Sequence, residues 1–203
     1  MLFRSEADFA AALRIAPAHP DARLNLGVTL TRDGRAAAAL PHLVEALRRR
    51  PGADVHFNLG IAHTALDRTK EAADHFLAAL ALEPDLAEAH WHLGRLAERA
   101  GRNAEAGAAY DRVLALDPRH AEAHRRLGLL AARREDFSAA ERHFTALAKS
   151  RPDDADAHAN LGNVLLLTGR AKEAVERFEA ALRLRPGDER LRESLATARR
   201  AGS

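Results

Sequence analysis

The side chains best suited to chemistry in this sequence are its histidines, because the chain contains 11 of them and no cysteine. Two of them, His90 and His92, flank the single tryptophan in the stretch EAHWHLG at residues 88–94. Imidazole nitrogens bind zinc and transfer protons near neutral pH, so such a cluster is typical of a metal or catalytic site. It indicates such a site only if it occurs once in the chain.

Related stretches occur four more times, at a nearly constant spacing. They are RLNLG, HFNLG, HRRLG and HANLG, which end at Gly27, Gly60, Gly128 and Gly162. The first step, from Gly27 to Gly60, is 33 residues, and each later step, through Gly94, is 34. A series of prolines keeps the same period: Pro17, Pro51, Pro84, Pro118, Pro152 and Pro186. The chain is therefore an array of repeats, and the histidine cluster is one copy of a recurring pattern.

The recurring histidines do not fit a metal site. His56, His90, His124 and His158 hold the same place in successive repeats. Equivalent residues on stacked helices lie about 8–10 Å apart, whereas each ligand of a zinc ion lies about 2 Å from it. His120 and His124 have i, i+4 spacing, but no third ligand is in view. We interpret the series as packing positions whose imidazoles hydrogen-bond locally.

The sequence contains none of the usual catalytic patterns. It has no set of nucleophile, base and orienting residue, no phosphate-binding glycine loop, and no carboxylate pair in an unusual context. We therefore expect a protein that is not an enzyme and that needs no cofactor and no metal.

Composition predicts an all-helical chain. It is rich in Ala, Leu, Glu and Arg, has 4% aromatic residues, and has few runs of the β-branched residues that strands prefer. The formal charge is only +2, because 31 basic residues are nearly balanced by 29 acidic ones, which argues against a nucleic-acid-binding polycation. No apolar run approaches membrane-spanning length, and charged residues interrupt the first 17 positions, so we expect neither a signal peptide nor a membrane anchor. We expect a cytoplasmic protein, and 28 arginines against 3 lysines are consistent with a GC-rich bacterial genome.

Each repeat predicts two amphipathic helices separated by a break. Within residues 87–99, one face of a helix is formed by residues spaced at i, i+3, i+4 and i+7, which are His90, Leu93, Gly94 and Ala97. Gly101 breaks this helix, and a second amphipathic run begins at Asn103 and ends before Pro118. A small residue where two helices cross lets their axes approach, and an aromatic residue in the second helix fills the remaining volume. One hairpin cannot bury its own apolar face, so we expect the hairpins to stack.

At these positions the sequence resembles the tetratricopeptide repeat family, with Leu-Gly in the first helix, Ala, an aromatic residue and Ala in the second, and Pro near the end of the unit. The resemblance covers nearly the whole chain, with five full units at 20–52, 53–86, 87–120, 121–154 and 155–188. It implies an all-α fold, a right-handed α-solenoid of five helical hairpins with a concave groove lined by the first helices. We expect residues 1–203 to form this single superhelix.

The first unit departs from the pattern in three ways. It is one residue short after Pro51, its second helix has Leu43 where an aromatic residue is usual, and Pro41 falls inside that helix. We expect a local kink at Pro41, because its ring clashes with a preceding carbonyl and removes a hydrogen-bond donor.

The two ends of the array are predicted to differ. Residues 4–17 match a second helix without its first, and residues 189–200 predict a capping helix in which Leu191 and Leu195 face the core. We expect the N-terminal end to be uncapped, with Leu2, Phe3 and Phe9 as an apolar surface there. We interpret this end either as a surface for homotypic, end-to-end association or as a short self-folded terminus.

Binding residues are predicted on the first helices, where they point into the groove that the resemblance implies. The apolar first part of the groove is Leu24, Val28, Phe57, Ile61 and Trp91; the basic middle is Arg95, Arg99, Arg125, Arg126 and Arg133; the mixed far end is Leu129, Asn163 and Leu166. This gradient suits an extended or helical peptide with hydrophobic anchors and an acidic stretch. Some arginines also have acidic residues at helical spacing, such as Glu122 before Arg126, so part of the basic middle is open to interpretation as ordinary surface pairing.

A row of polar residues precedes the Leu-Gly pairs: Asn25, Asn58, His92, Arg126 and Asn160. An amide donates to and accepts from a peptide backbone, which gives a sequence-tolerant grip on an extended ligand. The asparagines resemble the row in the superhelix of O-linked N-acetylglucosamine transferases, although His92 and Arg126 interrupt it here. Common ancestry within the family is the alternative explanation of these asparagines. We assign His90 to packing and His92 to the groove wall.

The function predicted from these residues is a non-enzymatic protein–protein interaction scaffold that holds a peptide or partner segment in its groove. One alternative is a substrate-recruiting arm of, or for, a glycosyl- or methyltransferase, which a neighbouring or fused transferase frame would reveal. Single-stranded RNA binding ranks below both, since aromatic residues for base stacking are scarce. A salt titration separates RNA from peptide binding, because only RNA binding weakens steeply with ionic strength.

Overall fold

The computed structural model describes residues 5–202, and within this range the chain forms twelve α-helices and no strand. Helices of 13 residues alternate with helices of 14 after the shorter first one. Their bounds are α1 Glu6–Ile15, α2 Pro20–Arg32, α3 Ala36–Arg49, α4 Ala53–Ala65, α5 Thr69–Leu82, α6 Ala87–Arg99, α7 Asn103–Leu116, α8 Ala121–Arg133, α9 Phe137–Ser150, α10 Ala155–Leu167, α11 Ala171–Leu184 and α12 Glu189–Ala201.

The chain divides into two compact units, Met1–Ala100 with α1–α6 and Gly101–Ser203 with α7–α12. In unit 1 each helix packs against the next along the chain, and α2 also packs against α4. In unit 2 each helix likewise packs against the next along the chain, and α10 also packs against α12. The first helices α2 and α4 therefore touch in unit 1, and α10 and α12 touch in unit 2, as expected of an all-α repeat solenoid. The single 1–203 superhelix stays a prediction.

Four hairpins are each closed by a glycine that lies against a large side chain of the second helix. A Cβ atom built on Gly60 or Gly128 would lie 2.6 Å from the ring of Phe76 or Phe144. At Gly162 the corresponding distance to Phe178 is 2.9 Å, and at Gly27 it is 2.6 Å to Leu43. These four second-helix side chains are buried. The predicted roles of the small and the large residue are confirmed in these hairpins, and Leu43 fills the position that the aromatic residues fill elsewhere.

The turns inside the hairpins share a left-handed residue with the period of the repeat. Positive φ angles occur at Gly34, Gly101 and Gly169, at 72–78°, and at Asp67 and Glu135, at 56° and 60°. Glycine adopts this conformation without steric cost, whereas other L-residues are strained by it. The sequence therefore predicts the break at three of the five turns, and the other two are formed in spite of their residue type.

Polar side chains start several helices. The Asp154 carboxylate accepts from the backbone N–H groups of Asp156 and Ala157 at the start of α10, and His120 Nδ1 accepts from the N–H of Ala123 at the start of α8. These bonds satisfy donors that the first turn of a helix leaves without a partner. Pro41 lies inside α3, which extends from Ala36 to Arg49, and the expected kink stays a prediction.

The predictions for the two ends have different outcomes. At the C-terminal end α12 buries Leu191 and Ala198, and Leu195 packs against the same core, so the capping helix is confirmed. At the other end Leu2, Phe3 and residue 4 lie outside the described residues. Phe9 is 7% exposed and packs with Leu24 and Leu26, so its assignment to an exposed apolar surface is wrong. The large apolar side chain that α1 exposes is Ile15, at 88%.

Candidate binding surface

The seventeen predicted binding residues all lie on first helices, and we call their outward side the first-helix face. In unit 1 they are Leu24, Asn25 and Val28 on α2, Phe57, Asn58 and Ile61 on α4, and Trp91, His92, Arg95 and Arg99 on α6. In unit 2 they are Arg125, Arg126, Leu129 and Arg133 on α8, and Asn160, Asn163 and Leu166 on α10. The face is described for each unit separately.

The face of unit 1 is apolar on three successive first helices. Val28 on α2, Phe57 and Ile61 on α4, and Trp91 on α6 are all partly exposed. Leu24 differs from them, because it is buried in the core formed by α1–α4. Its predicted place on the binding surface is therefore corrected: Leu24 packs between the helices and offers almost no surface to a ligand.

His92 belongs to an aromatic cluster of unit 1. Its ring stacks on Phe76 with centroids 5.1 Å apart and an interplanar angle of 13°, and it meets the edge of Phe57 at 5.7 Å. Burial, and secondly the charge of Arg95, lower the pKa of His92. The imidazole is therefore neutral near pH 7, and it packs against the ring of Phe57. His92 both packs and borders the face, so its assignment to the groove wall alone is too narrow.

The arginines of the face differ in how far acidic residues neutralise them. In unit 2 Arg125 contacts Asp154 at 2.6 Å and Glu122 at 3.0 Å, and Arg126 contacts Glu122 at 3.2 Å. Partial burial by itself would raise the pKa of Asp154, but the Ala157 N–H and Arg125 hold it below its usual value. The predicted basic middle is thus largely paired in unit 2.

Three further arginines of the face are more exposed. In unit 1 Arg99 contacts the exposed Asp67 at 3.0 Å, while Arg95 is exposed on the same helix. In unit 2 Arg133 is exposed at the end of α8. Surface arginines of this kind are well hydrated and free to reorient, so they supply charge at the edge of a binding surface rather than a fixed binding geometry.

The asparagines are not equivalent to one another. Asn58 donates its amide N–H to the Asp54 carbonyl at 2.7 Å, within its own helix. Asn25 and Asn163 are exposed, and Asn160 is partly buried. Asn58 therefore retains mainly its carbonyl oxygen for a ligand, whereas an exposed amide such as that of Asn25 can orient both its groups toward a peptide backbone.

The repeated histidines join the first helix of a hairpin to the linker that precedes it. The Nε2 atoms of His90, His124 and His158 lie 2.9–3.0 Å from the carbonyl oxygens of Pro84, Pro118 and Pro152. The N–H of each imidazole therefore donates to the carbonyl six residues earlier. Arg23 and Arg192 make the same contact with Pro17 and Pro186 in their repeats. Local hydrogen bonding is confirmed for these three histidines.

His56 is the exception, and the reason lies in the length of its repeat. It follows Pro51 by five residues instead of six, and its Nδ1 lies 3.0 Å from Nδ1 of His75 on the second helix. His124 and His143 form a second pair of this kind, at 3.1 Å. Neither pair was predicted from the sequence, although the partners of each pair are 19 residues apart in it. Within residues 5–202 no three His, Asp or Glu side chains come together in a way that could hold a metal ion.

The comparisons with known proteins identify the repeat. The pattern of the family described as Tetratricopeptide repeat matches residues 4–53, 30–87, 57–121, 92–140 and 125–189. No curated protein matches the chain significantly. Of the helices in residues 5–202, none has the length and apolar content needed to cross a membrane.

Solved structures similar to this chain are repeat proteins of the same fold. One is YrrB, a TPR protein "with an unusual peptide-binding site", with 21% identity and a TM-score of 0.78, covering 96% of this chain and 100% of YrrB. A second is pilF of Pseudomonas aeruginosa, with 20% identity, a TM-score of 0.79, and coverage of 95% of this chain and 88% of pilF. A third is MamA of Desulfovibrio magneticus RS-1, with 22% identity, a TM-score of 0.72, and coverage of 84% and 97%.

Proposed function

Since the chain belongs to the tetratricopeptide repeat family, we propose that it is an interaction scaffold that binds a peptide or a segment of a partner protein on its first-helix face. Proteins of this family are generally non-enzymatic interaction scaffolds. The structural similarity to YrrB, which has a peptide-binding site, supports the proposal at the level of the fold.

One observation carries the proposal: the apolar, partly exposed row in unit 1. Val28, Phe57, Ile61 and Trp91 lie on first helices, outside the positions that close the hairpins. Val28, Phe57 and Ile61 each pack partly against the core of the unit and leave the rest of the side chain exposed, so the row is held in place by the fold and still offers apolar surface. Exposed aromatic and aliphatic side chains grouped on one surface are typical of binding sites, and tryptophan is a frequent anchor.

The charges of the face favour a ligand that carries acidic residues next to its apolar ones. Arg95 and Arg99 lie on the same helix as Trp91, and both are exposed. An acidic side chain of a ligand would gain from these arginines mainly in association rate and in orientation. The apolar contacts would supply most of the binding free energy.

A matched pair of variants tests the proposal. Ile61 lies on the first-helix face, whereas Leu77 lies on the second helix α5 and is 56% exposed. Both are aliphatic residues of unit 1, so Ile61→Ser and Leu77→Ser each remove one aliphatic side chain, from a first helix and a second helix respectively. Partners captured by the native chain are identified first, and the shortest binding segment of one of them is then titrated against each variant.

We expect Ile61→Ser to weaken binding of that segment by roughly fivefold to thirtyfold, since loss of an anchor costs about 1–2 kcal/mol. Leu77→Ser should bind like the native chain. The affinity should change little between low and high salt, whereas an RNA ligand would be lost steeply. Equal affinities of the two variants would contradict binding on the first-helix face.

A further inference from the structure

Two hairpins, one in each unit, hold a pair of histidines with their Nδ1 atoms facing each other. The distances are 3.0 Å between His56 and His75, joining α4 to α5, and 3.1 Å between His124 and His143, joining α8 to α9. We propose that these two pairs are acid-sensitive joints, which hold the first helix of a hairpin to the second while one Nδ1 is unprotonated and release it when both are protonated.

The hydrogen bonds around the pair in unit 2 fix which nitrogen carries the hydrogen. His124 Nε2 lies 3.0 Å from the Pro118 carbonyl, which accepts only, so the Nε2–H group of His124 is the donor there. In neutral His124 the Nδ1 atom is then an acceptor. His143 must therefore be the tautomer with hydrogen on Nδ1, and it donates to His124 across the 3.1 Å contact.

This arrangement accommodates one added proton but not two. A first proton on Nε2 of His143 leaves the Nδ1–H···Nδ1 bond in place, and the donor becomes charged. A second proton has to go to Nδ1 of His124, where it would place two N–H donors face to face. Two positive charges about 3 Å apart in a partly buried site repel strongly. The contact between His124 and His143, which joins α8 to α9, must then open.

The surroundings of the pairs oppose even the first proton. Burial lowers the pKa of His75, with smaller contributions from His56 and His63, while Asp74 acts in the opposite sense. The ring of His63 stacks on His75 with centroids 5.3 Å apart. Burial also lowers the pKa of His56 and of His63, and Glu71 and Arg68 act on His63 in opposite senses.

In unit 2 burial again comes first among the causes that lower the pKa of His143. The charges of His124 and Arg142 add to it, and Asp111 on α7 and Asp136 before α9 partly offset it. The unfolded chain takes up protons at an ordinary histidine pKa of about 6.5, so it binds more protons than the folded chain below that pH. The stability that neutral pairs confer is thus present above about pH 6.5 and is lost as the pH falls below it.

Other hairpins have different polar pairs at the same two positions. In α2–α3 the pair is Arg23 and His42, whose Nη1 and Nδ1 atoms lie 3.4 Å apart. In α10–α11 the residues are His158 and Arg177, and His158 Nδ1 and Arg177 Nε are buried without a hydrogen-bond partner. An arginine keeps its charge at every physiological pH, so a pair of histidines differs in being able to change from neutral to doubly charged.

The first experiment reads the pairs directly, and it does not depend on peptide binding. Nitrogen-15 NMR of the imidazoles in the full chain at pH 7.5 should show His124 with hydrogen on Nε2 and His143 with hydrogen on Nδ1. On titration, each pair should take up its two protons in separate steps, the second at least one pH unit below the first. Independent titration of all four rings near the ordinary histidine pKa would overturn the proposal.

The second experiment measures the effect on folding with matched variants. A glutamine at position 75 or 143 retains a neutral donor for the partner Nδ1 but cannot be protonated, so the double variant His75→Gln/His143→Gln removes the switch. Between pH 7.5 and 5.0 its fall in Tm should be at most half that of the native chain. His90→Gln is the control. Like His124, His90 contacts the carbonyl of the preceding proline, but the residue 19 positions after it is Ala109, so it forms no histidine pair of this kind.

A gain-of-function variant keeps the proposal testable if the glutamine variants fold poorly. Arg177→His places a histidine 19 residues after His158 and so creates the composition of a third pair. We expect its Tm to fall more steeply with acid than that of the native chain. Equal acid sensitivity of the native chain and Arg177→His, together with equal sensitivity of the glutamine double variant, would show that the pairs are only structural.

Discussion

Unit 1 and unit 2 are alike inside their hairpins and different on their first-helix faces. The packing of Gly60 against Phe76 in unit 1 is repeated by Gly128 and Phe144 in unit 2, and a Cβ atom added to either glycine would lie 2.6 Å from the ring. On the face, by contrast, unit 1 places Phe57 and Ile61, where unit 2 places the paired Arg125 and the partly buried Leu129 on α8. The interior repeats because every hairpin must bury the same surface. The face is under no such constraint, so it can differ between units and select a partner.

The largest expected effect tests whether the two interiors are equivalent. Gly60→Ala and Gly128→Ala each place a methyl group against a buried phenylalanine ring, and overpacking of this kind costs about 1–3 kcal/mol. The better helix propensity of alanine returns about 1 kcal/mol. We expect both variants to lose up to about 2 kcal/mol of unfolding free energy, measured by urea denaturation with circular dichroism.

Two further glycines sharpen that comparison. A Cβ atom on Gly162 would lie 2.9 Å from the ring of Phe178, slightly farther than at Gly60, so Gly162→Ala should lose less than Gly60→Ala. Gly27 faces the flexible side chain of Leu43, which can rotate, so Gly27→Ala should lose about half as much as Gly60→Ala. A uniform loss at all four glycines would show that the second-helix side chain does not determine the cost.

A smaller effect is expected from the ion pairs of the two faces. In unit 2 the side chains of Arg125 and Asp154 are 20% and 13% exposed, and in unit 1 those of Arg99 and Asp67 are 56% and 80% exposed. Arg125→Ala leaves two carboxylates without their main partner and should cost about 1–2 kcal/mol. Arg99→Ala should cost less than about 0.5 kcal/mol, because water and salt screen its pair. At 1 M salt the loss at Arg125 should persist and that at Arg99 should vanish; the reverse order would contradict the geometry.

The smallest effects concern the left-handed turn residues, Asp67 in unit 1 and Glu135 in unit 2. Glu135→Gly should raise the unfolding free energy by about 0.5–1 kcal/mol, because glycine relieves the strain but adds entropy to the unfolded chain. Asp67→Gly should gain less, since aspartate tolerates this conformation better and its contact with Arg99 is lost. Gly169→Ala is the opposite control and should destabilise unit 2 by about 1 kcal/mol. Thermal unfolding resolves such differences, and a loss of stability in Glu135→Gly would contradict the assignment of strain.

The sequence predicts most of the fold because the same constraints recur at fixed spacing. Leu-Gly, the large second-helix residue and the terminal proline each mark a position that recurs in the hairpins. A wrong assignment in one repeat can therefore be recognised by comparison with the other repeats. Leu24 and Phe9 show the limit of this approach. Periodicity places them at the edge of a helix pair, but only the packing of α1 on α2 shows that both are buried.

The candidate site is predicted less completely, because its properties depend on contacts between helices. The position of Arg125 on a first helix follows from its place before Leu-Gly, but its partner Asp154 lies 29 residues further along the chain. Likewise, the stacking of His92 on Phe76 joins different repeats. Such pairs form only when the hairpins stack, and no local pattern indicates which side chains will meet.

The linker between α3 and α4 has three residues, 50–52, where the other linkers between hairpins, and the linker that follows α1, have four. The helices on either side retain their usual lengths of 14 and 13 residues, and Arg50 contacts both Asp21 and Asp54, at 3.2 Å and 2.5 Å. A missing residue thus leaves the helices intact and changes only which side chains meet around the gap. For protein engineering, this linker is a natural place to cut, lengthen or fuse the array, because its neighbours already tolerate a change of length.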